Sequence, residues 1–172
     1  ITTFAKALGN GYPISLIAGK EEIMSQLAPS GKVYQASTFA GNPVSVTASL
    51  KTLEILSKNK NIIYPKVSKT CDRIVNGIKD IALDKEIEIT VNSIGSMFQI
   101  FFKKKLVKNY QDVKTYNITK FNELFKILLY NVGKFIPSSQ YETWFISNNH
   151  NEEDIEKTIE SYEQALTKVK SL

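Results

Sequence analysis

The stretch Thr3-Phe-Ala-Lys6-Ala-Leu-Gly9-Asn-Gly11 decides how this chain is read. An apolar start leads to one lysine, and two glycines then bend the chain within three positions. A lysine at the end of a strand and ahead of a glycine turn can condense with a carbonyl, once some of its amine is unprotonated. Taken alone, Lys6 reads first as a solvated surface charge, as most lysines are, and it is one of 22 Lys and Arg together. Gly9-Asn-Gly11 lacks the third glycine and downstream acid of a dinucleotide fingerprint, and it is not a P-loop. By itself it is a turn.

The surrounding composition limits the alternatives. The chain has 172 residues, long enough for one domain or two small ones. With 42% hydrophobic and 23% charged residues it is globular in character. It begins at Ile1 rather than Met, which suggests a piece of a longer protein and is equally compatible with a processed start. No apolar run approaches membrane-spanning length. A single Cys, Cys71, excludes an internal disulfide framework and fits a reducing compartment. One Cys with one His, His150, argues against a protein zinc site and a Ser/His/Asp set. The net charge of +5 is spread along the chain, so nucleic acid is not implied. The densest run, Lys103-Lys104-Lys105, reads as a solvated turn.

Outward from the opening stretch, residues 1–4 read as a buried strand end and Pro13–Ala18 as a second short strand. Lys20–Leu27 reads as a short helix with Glu21 and Glu22 at its positive end. Tyr34-Gln-Ala-Ser-Thr38-Phe-Ala-Gly41-Asn-Pro43 is small and hydroxylated. Asn42 is a good N-cap and Pro43 suits the first helical position, opening a helix to about Ser57 with Val44, Ala48, Leu53 and Leu56 on one side. Hydroxyls ahead of a helix N-terminus suit a phosphate, with Thr38 as an added donor. The same loop reads equally as an ordinary helix entry. Asn59–Asn61 is a break and a candidate domain boundary.

Beyond it, Val67, Cys71, Ile74, Ile78 and Ile81 give helical spacing. Ile87, Ile89 and Val91 alternate as a half-buried strand. Asn92-Ser93 and Gly95 turn the chain into Met97–Phe102, a strand buried on both faces. Phe121, Leu124, Phe125 and Leu128 mark another helix. Ile155, Ile159, Tyr162, Leu166 and Val169 mark the last, with Asn151 as N-cap. Residues 62–172 therefore read as helix–strand–strand–helix–(strand)–helix, helices covering a small sheet. Cys71 falls on the apolar face of its helix, and His150 at the entrance of the last one. A lysine and a phosphate-type loop together suit a carbonyl cofactor bearing a phosphate, for which pyridoxal phosphate is the candidate.

At this point a family emerges. Thr2-Thr-Phe-Ala-Lys6-Ala-Leu-Gly-Asn-Gly-Tyr-Pro13 resembles the cofactor-lysine segment of class III pyridoxal-phosphate aminotransferases. Glu22-Ile-Met24, Ala28-Pro29, Val33-Tyr-Gln-Ala36, Thr38 and Gly41-Asn-Pro43 are similar to the aminomutase branch of that family. So are Gly95-Ser-Met-Phe98, Phe101-Phe102, Asn109-Tyr110, Ser139-Gln-Tyr-Glu142 and His150-Asn-Glu-Glu-Asp-Ile155. The resemblance covers nearly the whole chain.

It implies an α/β architecture, the fold-type I transferase. Residues 1–60 would end the large cofactor-binding domain with an interdomain helix, and residues 61–172 would form the small C-terminal α+β domain. The lysine matching Lys6 would bind the cofactor as a Schiff base and shuttle protons. The threonine matching Thr38 would hold the cofactor phosphate of the neighbouring subunit in a homodimer. The glutamate matching Glu142 would line the substrate site, where many class III aminotransferases keep an arginine. The implied reaction moves an amino group between adjacent carbons of glutamate-1-semialdehyde, releasing 5-aminolevulinate for tetrapyrrole synthesis in the cytoplasm. Another class III aminotransferase, or a non-catalytic fragment, is the alternative. The sequence departs from the family at Ala5, Asn10 and Ser37, where glycine is usual, and in the order Pro137-Ser-Ser139. The family's ring-stacking aromatic, phosphate-binding serine–glycine loop and pyridine-binding aspartate fall outside these residues, so the piece alone is expected to be inactive.

Overall fold

A computed structural model describes residues 1–171 and divides the chain into two compact units, Ile1–Lys60 and Asn61–Leu172. In the first unit, β1 (Thr2–Phe4) pairs antiparallel with β2 (Leu16–Ala18), Thr3 opposite Ile17. A single 3-10 turn, Lys6–Leu8, follows β1 and packs on α2. Helix α1 is short (Glu21–Met24), and α2 runs Pro43–Lys58. Asn42 caps α2 as its sequence predicts: its side-chain oxygen accepts from the N–H groups of Val44 and Ser45, both at 3.1 Å.

Two expectations fail in this unit. β1 is not the buried strand end expected: Phe4 is 47% exposed. The inward face of α2 is not its apolar stripe either. Ser45 and Ser49 are buried while Val44 and Leu53 are exposed. The cause is common to both. Every buried apolar side chain among the described residues belongs to the second unit, so nothing in the first unit covers these positions.

The second unit is built on α3 (Lys60–Asp84), which follows α2 after the single residue Asn59 and runs through Pro65. Its apolar face (Cys71, Ile74, Val75, Ile78) enters the core. The helix ends with Glu86 at φ +54, where Ile87 N–H bonds Ala82 C=O and Glu86 N–H bonds Leu83 C=O. This 6→1 and 5→2 pair closes a helix C-terminus. Ile87 is therefore the buried tail of a helix stop. The strand read from Ile87 begins instead at Thr90.

β3 (Thr90–Ile94), β4 (Met97–Phe101) and β5 (Trp144–Phe145) form one antiparallel sheet in that order. Ile94 pairs with Met97, so Gly95 (φ +58) and Ser96 make the turn, while Asn92 and Ser93 lie in the strand. β4, the middle strand, is buried from Phe98 to Phe101, as its apolar run predicts. A short α4 (Tyr110–Val113) was not expected. α5 (Ile118–Lys126) continues as a π-helical turn over Ile127–Asn131.

The last helix, α6 (Glu152–Lys170), starts with a full capping box between Asn151 and Asp154. Its Ile155, Tyr162, Leu166 and Val169 pack with Phe121, Leu124 and Leu128 of the α5 region. Arg73 of α3 pairs with Glu152 at the start of α6. Trp144 meets Phe98 edge-on at 5.2 Å and stacks on Tyr162 at 5.8 Å. No helix among the described residues is long and apolar enough to cross a membrane.

Candidate active site

Lys6 leaves β1 with φ +52, a left-handed conformation uncommon for a residue with a Cβ. Its side chain is exposed and has no hydrogen-bond partner among the described residues. The turn after it explains the glycine pattern. A Cβ at Gly9 would run into the backbone carbonyl of Tyr12 and lie 2.7 Å from Ile14 Cγ2, so glycine is required by space. Asn10 adopts φ +47, which Asn tolerates, and Gly11 has φ +103. Ala5 is extended (φ −159), so its methyl group meets no backbone penalty. Two of the departures from the family's glycines are thus compatible with the backbone here.

Thr38 lies in the exposed loop before α2 and makes no hydrogen bond among the described residues. Asn42 already occupies the first free N–H groups of α2, and Pro43 has none. The donors open to an anion are therefore those of the Ser37–Gly41 loop, the Thr38 hydroxyl among them, more than the helix end itself. A groove of about 460 Å³ lies between Tyr12 and the start of α2 (Pro43, Val44, Thr47, Ala48). The turn that follows Lys6 and the helix that follows Thr38 share that groove. A lysine amine and a hydroxyl-bearing loop suit a carbonyl compound carrying a phosphate.

Glu142 belongs to the second unit. It ends a turn closed by its own N–H to Ser139 C=O (3.0 Å). Ser139 N–H donates back to the Glu142 carboxylate (3.3 Å), and Ser139 Oγ accepts from Tyr141 N–H (3.1 Å). Ser139 thus makes the turn despite the altered Pro137-Ser-Ser139 order. The carboxylate is exposed. Beside it lies a cleft of about 330 Å³ walled by Asn92, Met97, Gln99, Val113, Gln140 and Tyr141. The rings of Tyr110 and Tyr116 flank Tyr141 at 5.5 and 6.5 Å.

Cys71 is wholly buried, and burial pushes its thiol pKa up, as a core cysteine requires. His150 Nδ1 accepts from Ser147 N–H (3.0 Å) and steadies the entrance to α6. The lysine run is solvated at Lys104. Lys103 instead donates to Asp112 C=O (2.9 Å) and to Thr115 Oγ1 (2.5 Å).

The pairing of Gln99 with Gln140 escapes a reading by sequence. Gln99 Nε2 donates to Gln140 C=O (2.8 Å), and Gln140 Nε2 donates to Ile100 C=O. A glutamine inside the apolar run Met97–Phe102 was the available signal.

The whole frame, from the strand before Lys6 to α6, is that of a class-III aminotransferase. Residues 1–166 match the family "Aminotransferase class-III", and the chain belongs to it. It is 47% identical over 171 residues to the glutamate-1-semialdehyde 2,1-aminomutase of Nitrosopumilus maritimus, covering 99% of this chain and 40% of that protein. The enzyme of the same name from Archaeoglobus fulgidus is 43% identical over 96% of this chain and 39% of its own length. A β-phenylalanine aminotransferase from Variovorax paradoxus superposes with a TM-score of 0.82 at 18% identity, over 99% of this chain and 39% of that one. The fold is that of the corresponding part of a fold-type I transferase. The chain spans about 40% of the length of the curated relatives it matches.

Proposed function

We propose that this chain is the C-terminal part of a glutamate-1-semialdehyde 2,1-aminomutase. The observation that carries the reading is the likeness to aminomutases along 99% of the chain. The complete enzyme would convert glutamate-1-semialdehyde to 5-aminolevulinate by internal amino transfer, using pyridoxal phosphate. When bound, that cofactor supplies an amine carrier and an electron sink.

The chain's own residues have separate parts. Lys6 provides the amine that holds the cofactor's carbonyl carbon and moves a proton between substrate carbons. Its left-handed backbone supports that part, because strained residues cluster at functional sites. Thr38 donates its hydroxyl to the phosphate, reaching the neighbouring subunit of a homodimer. Glu142 faces the substrate. A carboxylate there repels a second carboxylate that an arginine would attract, which disfavours dicarboxylate amino donors and suits a reaction within one molecule. Residues 1–60 serve as the end of the cofactor-binding domain and 61–172 as the small domain, in a cytoplasmic enzyme.

The test uses the complete enzyme with borohydride reduction and peptide mass spectrometry. The expected result is cofactor fixed at Lys6, none fixed in Lys6→Ala, and turnover of the semialdehyde with no amino donor added. Attachment at another residue, or a strict need for a donor, would overturn the proposal.

A further inference from the structure

The turn that presents Glu142 is held by an unusually costly device. Gln99 is 6% and Gln140 1% exposed. Each carboxamide donates its N–H to the opposite segment: Gln99 to the Gln140 carbonyl at 2.8 Å, and Gln140 to the Ile100 carbonyl. Those donations fix the amide orientations, since a flipped group would set oxygen against oxygen. Both side-chain oxygens are left buried without a partner. A buried acceptor without a donor is destabilising, and an apolar pair of similar shape would avoid that. Stability alone does not account for the pair.

What the pair does is pin one short segment. Gln140 points into β4, while Tyr141 beside it packs outward on Tyr110 and Tyr116. The Ser139–Glu142 turn is gripped from both sides, and its terminal residue carries the exposed carboxylate. An unpinned loop would lose backbone entropy on becoming ordered when substrate binds. A pinned one has that ordering in place beforehand.

We propose that Gln140, braced by Gln99, is a positioning residue that fixes the Glu142 carboxylate for substrate. The inference rests on the reading of Glu142 as a substrate residue.

The experiment uses the complete enzyme with Gln140→Met, Gln99→Met, Glu142→Gln and the double variant Gln140→Met/Glu142→Gln. Steady-state kinetics with glutamate-1-semialdehyde are combined with amide hydrogen exchange. Gln140→Met should raise KM about tenfold, the scale of a misdirected charged hydrogen bond, with kcat little changed. The Tyr141 and Glu142 amides should exchange faster. The double variant should be no worse than Glu142→Gln alone, because the two residues act in series. A folded Gln140→Met enzyme with unchanged KM, or additive losses in the double variant, overturns the inference and leaves Glu142 in place. An unchanged KM and kcat in Glu142→Gln overturns the substrate reading itself. If Gln140→Met does not fold, Gln99→Met carries the same test, since it removes only the bond to the Gln140 carbonyl. An unchanged KM there also refutes the role.

Discussion

Replacing Lys6 by alanine and by glycine separates its backbone from its amine. At φ +52 a residue with a Cβ costs about 1–2 kcal/mol. Alanine keeps that cost and removes the amine. Glycine removes both, and gives back about 0.5–1 kcal/mol because it loosens the unfolded chain. The net expectation is that Lys6→Gly is more stable than Lys6→Ala by about 0.5–1 kcal/mol. The neighbouring position supplies the control: Ala5 is extended, so Ala5→Gly should destabilise by about 0.5–1 kcal/mol. The assay is paired chemical denaturation of the cofactor-free complete enzyme at one protein concentration. Glycine above alanine at position 6, and below it at position 5, is the expected order. Equal midpoints for the two Lys6 variants, or alanine above glycine, would show that no backbone strain resides at this lysine.

Three further outcomes follow from the same geometry. Thr38→Val should weaken cofactor binding at least tenfold, the scale of a hydrogen bond to a charged group, and Thr38→Ser should restore it; equilibrium dialysis decides, and undiminished binding removes Thr38 from the phosphate site. Asn151→Ala removes the N-cap half of the capping box and should cost about 1 kcal/mol in denaturant titrations, whereas an effect near zero would mean that α6 is held by packing alone. Burial raises the Tyr162 phenol well above its ordinary range. The neutral buried phenol therefore stabilises fully below about pH 10 and progressively less above it, because the unfolded phenol ionises first. The alkaline loss of stability should be shallower in Tyr162→Phe, and an identical slope would count against that assignment.

Local chemistry was legible in the sequence wherever a few adjacent residues settle the outcome. Asn42-Pro43 and Asn151 begin helices because a capping side chain and a pre-set φ act within one turn. Glu86 shows where such reading stops. A left-handed helix stop usually announces itself with glycine, and without one the alternation of Ile87, Ile89 and Val91 looks like a strand from its first residue. On α2 the pattern marks an apolar stripe but not which face is covered, and the covered face here carries Ser45 and Ser49. At the site, the residue types of Lys6, Thr38 and Glu142 suggested chemistry. The left-handed backbone of Lys6 and the clasp between Gln99 and Gln140 did not show. The first depends on torsion angles, and the second joins segments separated by α4 and α5.

Trp144, the chain's single tryptophan, begins β5, the sheet's last strand in chain order, two residues after Glu142. It is 4% exposed and wedged between Phe98 and Tyr162. Closing β5 onto β4 brings together segments far apart in sequence. The fluorophore therefore sits at the latch between β5 and β4. Its emission should shift to the blue as that latch closes and to the red as it opens, giving an optical record of when the Glu142 turn is set.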